Sequence, residues 1–464
     1  MEARTLKFIA AACNGEQLSG SPDACVHGVC TDSRQAQAGN LFFALVGERF
    51  DGHNFLQQAA ARGVGAAVVQ RGRVPPNWSG CAMIAVEDTR KALGWLASKY
   101  REAFSLPLVV VGGSNGKTTT KDLAASVLRQ KLSTLHSEAS YNNDIGVPLT
   151  LLRLDQSQQA AVLEAGTNHP GELAPLLKMI RPTYGVVTCI GREHLEFFGD
   201  LAGVAQEEGC LAESLPANGK LFVNGDDEWA GKTAERTHAA VVRVGFAASN
   251  DWCARGLRFT KEGMRFRVVG PIRELAGEYR VRLLGRHQVV NALLAIALGA
   301  EFGLSSAEVA RGLAECAPPK MRLELWEQGG VRVLDDAYNA NADSVAAALQ
   351  TLQELRCKGR RVAVLGDMAE LGTHSELAHE EIGRRAAELG VGQLFAVGKM
   401  APVIARAARA AGLTRVFEFA DVETAATAVK SFVKSGDVVL LKASRATHLE
   451  PIGEALRAGE ARRD

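Results

Sequence analysis

Short apolar runs alternate with longer amphipathic stretches along most of the chain, and the alternation falls into three blocks. In residues 1–104 the runs Leu41 to Val46, Ala66 to Val69 and Met83 to Val86 read as strands, followed by a helical pattern from Thr89 to Tyr100. Ser105-Leu106-Pro107 breaks that helix, because proline lacks the N–H that a helix needs. Residues 105–317 open on a strand, Leu108 to Val111, with a glycine-rich turn and a helix from Thr119 to about Lys131. Strands at Ala160 to Leu163 and Gly185 to Ile190 and a buried helix at Gln288 to Ala300 complete this block, which ends at Pro318-Pro319. Residues 318–464 give strands at Val331 to Leu334, Arg361 to Leu365, Gln393 to Val397, Val416 to Phe419 and Asp437 to Leu441, separated by Ala-, Glu- and Arg-rich helices. The predicted class is α/β, with mainly parallel sheets covered on both faces and a doubly wound third domain.

Composition narrows the function more than the fold. With 464 residues the chain is too long for one ordinary core, consistent with several domains. A formal net charge of +1 argues against a general nucleic-acid or anionic-membrane binder. The most apolar helix, Val289 to Ala300, carries Asn291 and is too short to span a bilayer. Phe8 to Cys13 has the small residues and cysteine of a lipoprotein signal, but Glu2, Arg4 and Lys7 leave its apolar core too short, so a folded first element is expected. The 9 cysteines form no C-x-x-C pair and no cluster with histidine, so reduced thiols in a cytoplasmic protein are expected.

The chemistry concentrates where strands end. Gly113-Ser114-Asn115-Gly116-Lys117-Thr118, with Thr119 behind it, lies between a strand and a helix. Glycines let successive N–H groups converge on a phosphate, and the helix N-terminus adds partial positive charge. Lys117 supplies a mobile charge for the outer phosphates and Thr118 a hydroxyl for magnesium, so ATP and Mg2+ are the expected cofactors. The usual pattern has glycine six positions before the lysine, where this chain has Val111, and a glycine-rich turn without a ligand is the rival reading. Glu164 and His194 follow the next two strands and would sit beside this loop, as magnesium ligands or as solvated loop residues. In the third block Asp335 to Asn341, Gly366 to Gly372 and Lys442 to Arg445 follow three strands and would share one crevice.

Together these motifs resemble the Mur ligases of peptidoglycan synthesis, over about Thr31 to Leu449. The resemblance rests on T-D-S-R at Thr31 to Arg34, L-F-F-A-L-V-G-E-R-F-D-G-H at Leu41 to His53 and G-S-N-G-K-T-T-T at Gly113 to Thr120. It also rests on Y-N-N-D-I-G-V-P-L-T-L-L at Tyr141 to Leu152, H-L-E-F-F-G at His194 to Gly199 and D-D-A-Y-N-A-N-A-D-S at Asp335 to Ser344. It implies a three-domain architecture: a UDP-sugar-binding domain (1–104), a central P-loop domain (105–317) and a C-terminal Rossmann-like domain (318–464). N-N-D-I-G-V-P and D-D-x-Y-N-A-N point to the branch that adds D-alanyl-D-alanine to UDP-N-acetylmuramoyl-tripeptide. The D-N-P-R motif of the diaminopimelate-adding branch is absent. By the resemblance, Glu164 and His194 bind a second magnesium, and Asn291 faces the adenine. Arg322, Asp336 and Tyr338 reach the nucleotide, Ser33 and Arg34 hold the UDP-sugar, and Asn142 and Asn143 line the substrate loop. A monomer is the default for the family.

One departure bears on the metal. Related ligases place a carbamylated lysine where Glu208 stands; a glutamate already carries that negative charge on a shorter stem, so Glu208 is expected near the magnesium, the rival reading being a solvated helix residue in a weakened or repurposed site. The implied reaction is carboxylate activation by ATP, through an acyl phosphate, to an amide. The alternatives are another amino-acid ligase of the Mur or folylpolyglutamate type and a non-catalytic ATP-dependent regulatory homologue.

Overall fold

Among the described residues three large sheets are each assembled within one of the sequence blocks, and Arg4–Thr5 pairs with Cys25–Val26 in a separate two-stranded sheet. The computed structural model describes residues 1–48, 50–260 and 262–458; Arg49 of the L-F-F-A-L-V-G-E-R-F-D-G-H run lies outside the described residues. In the first block the strands lie in the order Glu16–Gln17, Ala82–Val86, Ala66–Gln70, Leu41–Phe43 and Val29–Cys30, parallel except at the Glu16–Gln17 edge. The apolar runs at Leu41, Ala66 and Met83 are buried on both faces, which is why they read as continuous rather than alternating. Thr89–Arg101 forms the expected helix, capped by Asp88, whose carboxylate accepts the Arg90 and Lys91 N–H groups. The chain before these strands forms a helix, Leu6–Ala12.

In the central sheet Leu108–Gly112 lies between Ala160–Glu164 and Tyr184–Val187, all parallel. The two strands that end near Glu164 and His194 therefore flank the phosphate-loop strand on either side. Thr134–His136 forms one edge beyond Ala160–Glu164; Lys220–Asn224 and Ala240–Gly245 extend the other side. The sheet continues into an antiparallel meander, Trp252–Thr260, Gly263–Val269 and Gly277–Val281, which the sequence reading did not include. Met264, Phe266 and Val268 of its middle strand are buried while the intervening arginines face out. The apolar helix is Arg286–Glu301, buried along most of its length against the helix Lys117–Leu128.

The C-terminal sheet runs Glu324–Gln328, Val331–Asp335, Val438–Lys442, Arg361–Gly366, Gln393–Val397 and Val416–Phe419, parallel after the first pair. Val331–Asp335, Val438–Lys442 and Arg361–Gly366 are immediate neighbours, so their three polar strand ends open side by side. One apolar core runs from Leu6 and Tyr100 of the first block to Leu108, Leu151 and Ile180 of the second. The break at residue 104 is thus a break in the pattern of elements and not in the packing. Among the described residues, no helix is long and apolar enough to cross a membrane.

Candidate active site

The loop after Leu108–Gly112 turns twice through conformations that favour glycine. Gly113 has φ 107° and Gly116 φ 89°. A Cβ on Gly113 would lie 2.5 Å from the Thr188 hydroxyl, and one on Gly116 would lie 2.8 Å from the Asn291 amide oxygen. Ser114 fastens the loop to the neighbouring strand end: its N–H donates to the Cys189 carbonyl (2.8 Å) and its hydroxyl accepts from the Gly191 N–H (2.8 Å). The helix Lys117–Leu128 starts at the loop with its first N–H groups directed back toward it.

Lys117 is half enclosed by its own loop. Its ammonium donates to the Gly113 carbonyl (2.5 Å) and pairs with the buried Glu193 carboxylate (3.4 Å). Burial alone would lower its pKa, but the carboxylates of Glu193, Glu208 and Glu164 outweigh that and hold it above the ordinary lysine value. Beside it, the Thr118 hydroxyl donates to Glu164 (2.8 Å), and the second Glu164 oxygen accepts from the Asn142 amide (2.8 Å). A hydroxyl and a carboxylate in contact at a phosphate loop are hard oxygen donors, and three carboxylates around one ammonium leave room for further positive charge. These residues fit magnesium.

The other expected ligands are held apart from that pair. His194, with φ 50°, bonds through Nδ1 to Glu370 of the third block (2.6 Å). Glu208 lies behind the loop, where its Oε2 accepts the Gly113 N–H (2.6 Å) and its Oε1 has no hydrogen-bond partner. Among the described residues no three His, Cys, Asp or Glu side chains converge as a metal site. The structure therefore does not bring Glu164, His194 and Glu208 into one donor set. The physical reason for Glu208 is its short stem, which from the helix Leu201–Glu208 reaches the loop backbone and stops there. Its neighbour Glu207 fastens a second loop, accepting the Gly171 and Leu173 N–H groups (2.8 Å each).

Burial pushes the Glu208 carboxyl up from 4.5 to about 7, with the Lys117 ammonium pulling the other way. The folded protein then keeps this proton where the unfolded chain has lost it, so stability falls as pH rises from 4.5 through about 7. Glu208→Gln is neutral throughout and still offers an oxygen to Gly113, so its melting temperature should fall less than wild type between about pH 5 and about pH 8. The residual slope comes in part from Asp335, pushed up to about 6 by burial. Glu208→Leu, which leaves the Gly113 N–H buried and unpaired, should instead lose about 1–3 kcal/mol. Parallel melting curves for wild type and Glu208→Gln would contradict this placement of the proton.

The third block closes over the loop to form a cleft of about 780 Å³ lined by both domains. Asn115 and Asn341 exchange amide hydrogen bonds across it (3.1 and 3.4 Å). Arg192, to which the sequence reading gave no role, spans the same boundary. Its guanidinium bonds Asp343 (2.6 and 2.9 Å) and Glu381 (2.6 and 3.1 Å), and its N–H bonds Asp343 (2.7 Å). Arg322 donates to the Ser140 hydroxyl (3.1 Å), which meets that of Thr118 (3.1 Å), and it stacks on Tyr338 at 4.1 Å. Asp336 pairs with Lys442 (2.6 Å).

Thr119, Asn291, Asn142 and Asn143 line the cleft as well. Asn291 donates to Gln288 (2.9 Å), and His287 on the same helix end is held near pKa 4 by burial, with Lys442 adding to the effect. That imidazole is neutral at ordinary pH. Ser33 and Arg34 are in the first block, outside the cleft: Ser33 donates to Gln58 (2.7 Å) and Arg34 pairs with Asp32 (2.8 Å).

The chain is similar to known proteins along nearly its whole length. The Mur ligase family catalytic domain matches residues 25–101, the Mur ligase middle domain 111–299 and the Mur ligase glutamate ligase domain 321–445. The UDP-N-acetylmuramoyl-tripeptide–D-alanyl-D-alanine ligase of Escherichia coli is 37% identical over 98% of both chains. The chain belongs to the Mur ligase family. The Bacillus subtilis protein of the same name is 35% identical over 97% of this chain and 98% of its own. Among solved structures, MurF from Acinetobacter baumannii superposes with a TM-score of 0.88 at 31% identity, over 99% of this chain and 100% of that one. MurF from Thermotoga maritima in complex with ADP gives 0.81 at 26% identity, over 93% of this chain and 97% of that one. Like other Mur ligases, this chain is an ATP-dependent ligase, built on the family's three α/β domains.

Proposed function

We propose that this Mur ligase joins D-alanyl-D-alanine to UDP-N-acetylmuramoyl-tripeptide, as its nearly full-length relatives are named for doing. The observation that carries the chemistry is the enclosed set Lys117, Thr118 and Glu164 at one end of a two-domain cleft. ATP lies with its phosphates on the loop and its base toward Asn291. Lys117 exchanges Glu193 for the outer phosphates and neutralises the approach of a second anion. An oxygen of the tripeptide's terminal carboxylate attacks the γ-phosphorus, the bond to the β-phosphate oxygen breaks, and ADP leaves. The amine of D-alanyl-D-alanine then attacks the acyl carbon, phosphate leaves, and the amine gives up a proton.

Thr118 and Glu164 would hold magnesium, which would supply positive charge to the phosphoryl transfer when bound. Asn142 keeps the Glu164 carboxylate oriented, and Arg192 with Asn115 keeps the third block seated so that water is kept from the acyl phosphate. Ser33 and Arg34 hold the UDP-sugar from the first block.

The test is release of ADP and phosphate with each substrate omitted in turn. Turnover is expected only when ATP, UDP-N-acetylmuramoyl-tripeptide and D-alanyl-D-alanine are all present. Turnover with a folate or with free glutamate in place of the dipeptide would assign the chain to a different amino-acid ligase. ATP binding with no turnover on any of them would leave a non-catalytic homologue.

A further inference from the structure

We infer that Lys442 is a positioning residue of this ligase, holding Arg322 in the cleft through Asp336. Arg322 sits between the central and C-terminal domains, flanked by Met321 at φ 57° and Leu323 at φ 53°. Neither is glycine, and both are bulky for the left-handed region, so this turn is strained and needs to be held. Four bonds hold it, one of them from the Arg322 N–H to the Pro319 carbonyl (3.3 Å). The Leu323 N–H donates to the Asp336 carboxylate (3.1 Å), the Tyr338 N–H donates to the Met321 carbonyl (3.1 Å), and the Met321 N–H donates to Glu324 (3.2 Å).

Asp336 depends in turn on Lys442. The ammonium meets the other Asp336 oxygen at 2.6 Å and donates to the Asn339 carbonyl at 2.9 Å, and its side chain is only 2% exposed. Lys442 ends the central strand of the C-terminal sheet, beside Val331–Asp335, so it is fixed by the sheet register. A continuous line therefore runs from that sheet through Lys442, Asp336 and the Leu323 N–H to Arg322, and from Arg322 through Ser140 to Thr118 of the phosphate loop. A buried ammonium spent on a carboxylate and a backbone carbonyl has its donors committed to that alignment. Without it Asp336 loses its counter-ion, the strained turn loses a restraint, and the guanidinium over Tyr338 loses its aim.

This inference rests on the ligase reading above, so wild-type turnover with both substrates is the control: its absence would fail that reading and leave this one to nucleotide binding. Two measurements follow, on the full-length chain. In Lys442→Met, kcat/KM for ATP should fall about a hundredfold, the scale of an ångström misplacement. KM for the UDP-linked substrate should stay within about twofold. Equilibrium titration with ADP should show the same selective weakening without requiring turnover. The decisive readout is non-additivity. If Lys442 acts through Arg322, then Lys442→Met with Arg322→Ala should be no worse than the poorer single variant, within about twofold. Should Lys442→Met fold poorly, Lys442→Gln, which can still donate to Asn339, serves in the same cycle. Losses that multiply in the double variant, or a near-wild-type Lys442→Met, would overturn the inference.

Discussion

Lys117→Met should lower turnover about a thousandfold, the upper range for losing one preorganised group that faces developing charge. The ammonium sits among Glu193, Glu208 and Glu164, which keep it charged, and it alone among them can draw a phosphate toward the loop. Its loss also strands Glu193, which is buried and has Lys117 as its ion-pair partner. A lower melting temperature without nucleotide should therefore accompany the loss of turnover. ADP release followed in the complete substrate mixture checks the first effect, and calorimetry of the free protein checks the second. Turnover within tenfold of wild type would remove Lys117 from the chemistry.

Glu164→Gln should cost about a hundredfold or more in turnover, because a carboxylate that steadies a metal contributes several kcal/mol. Both Glu164 oxygens already accept hydrogen bonds, from Thr118 and Asn142 (2.8 Å each). A glutamine there can accept from only one of these partners and must turn an NH2 group toward the other. The magnesium concentration giving half-maximal rate should rise along with the fall in turnover. If turnover dropped with an unchanged magnesium requirement, Glu164 would be a scaffold for Asn142 and Thr118, not a metal ligand.

Much of the fold was legible because its strands are short apolar runs ending in turns. Leu108–Gly112, Ala160–Glu164 and Gln393–Val397 stand within a residue of their expected limits. The antiparallel meander from Trp252 to Val281 was missed because its period-two pattern is interleaved with arginines and interrupted near Arg255 and Arg258, where the register shifts. Thr134–His136 is three residues long, too short to carry a period. At the site, Arg192 and Glu193 stood next to the noticed His194 without any local signal of their own. Their partners Asp343, Glu381 and Lys117 lie far away in the chain.

The phosphate loop shows where the division falls. Sequence alone determined that a glycine-rich turn with Lys117 and Thr118 ends a buried strand, since backbone geometry and the reach of one side chain are local properties. It also placed Glu164 at a strand end and His194 beyond the end of the next strand, because parallel strands expose their carboxyl ends on one edge. Tertiary structure alone decided which groups meet there. Glu208 is the residue type that suits a metal site, yet burial favours its neutral form and the helix that bears it stops the short side chain at the Gly113 N–H. His194 faces Glu370, and Arg322 is aimed by Lys442 through Asp336, because side-chain direction is set by packing between elements that the chain brings together from far apart.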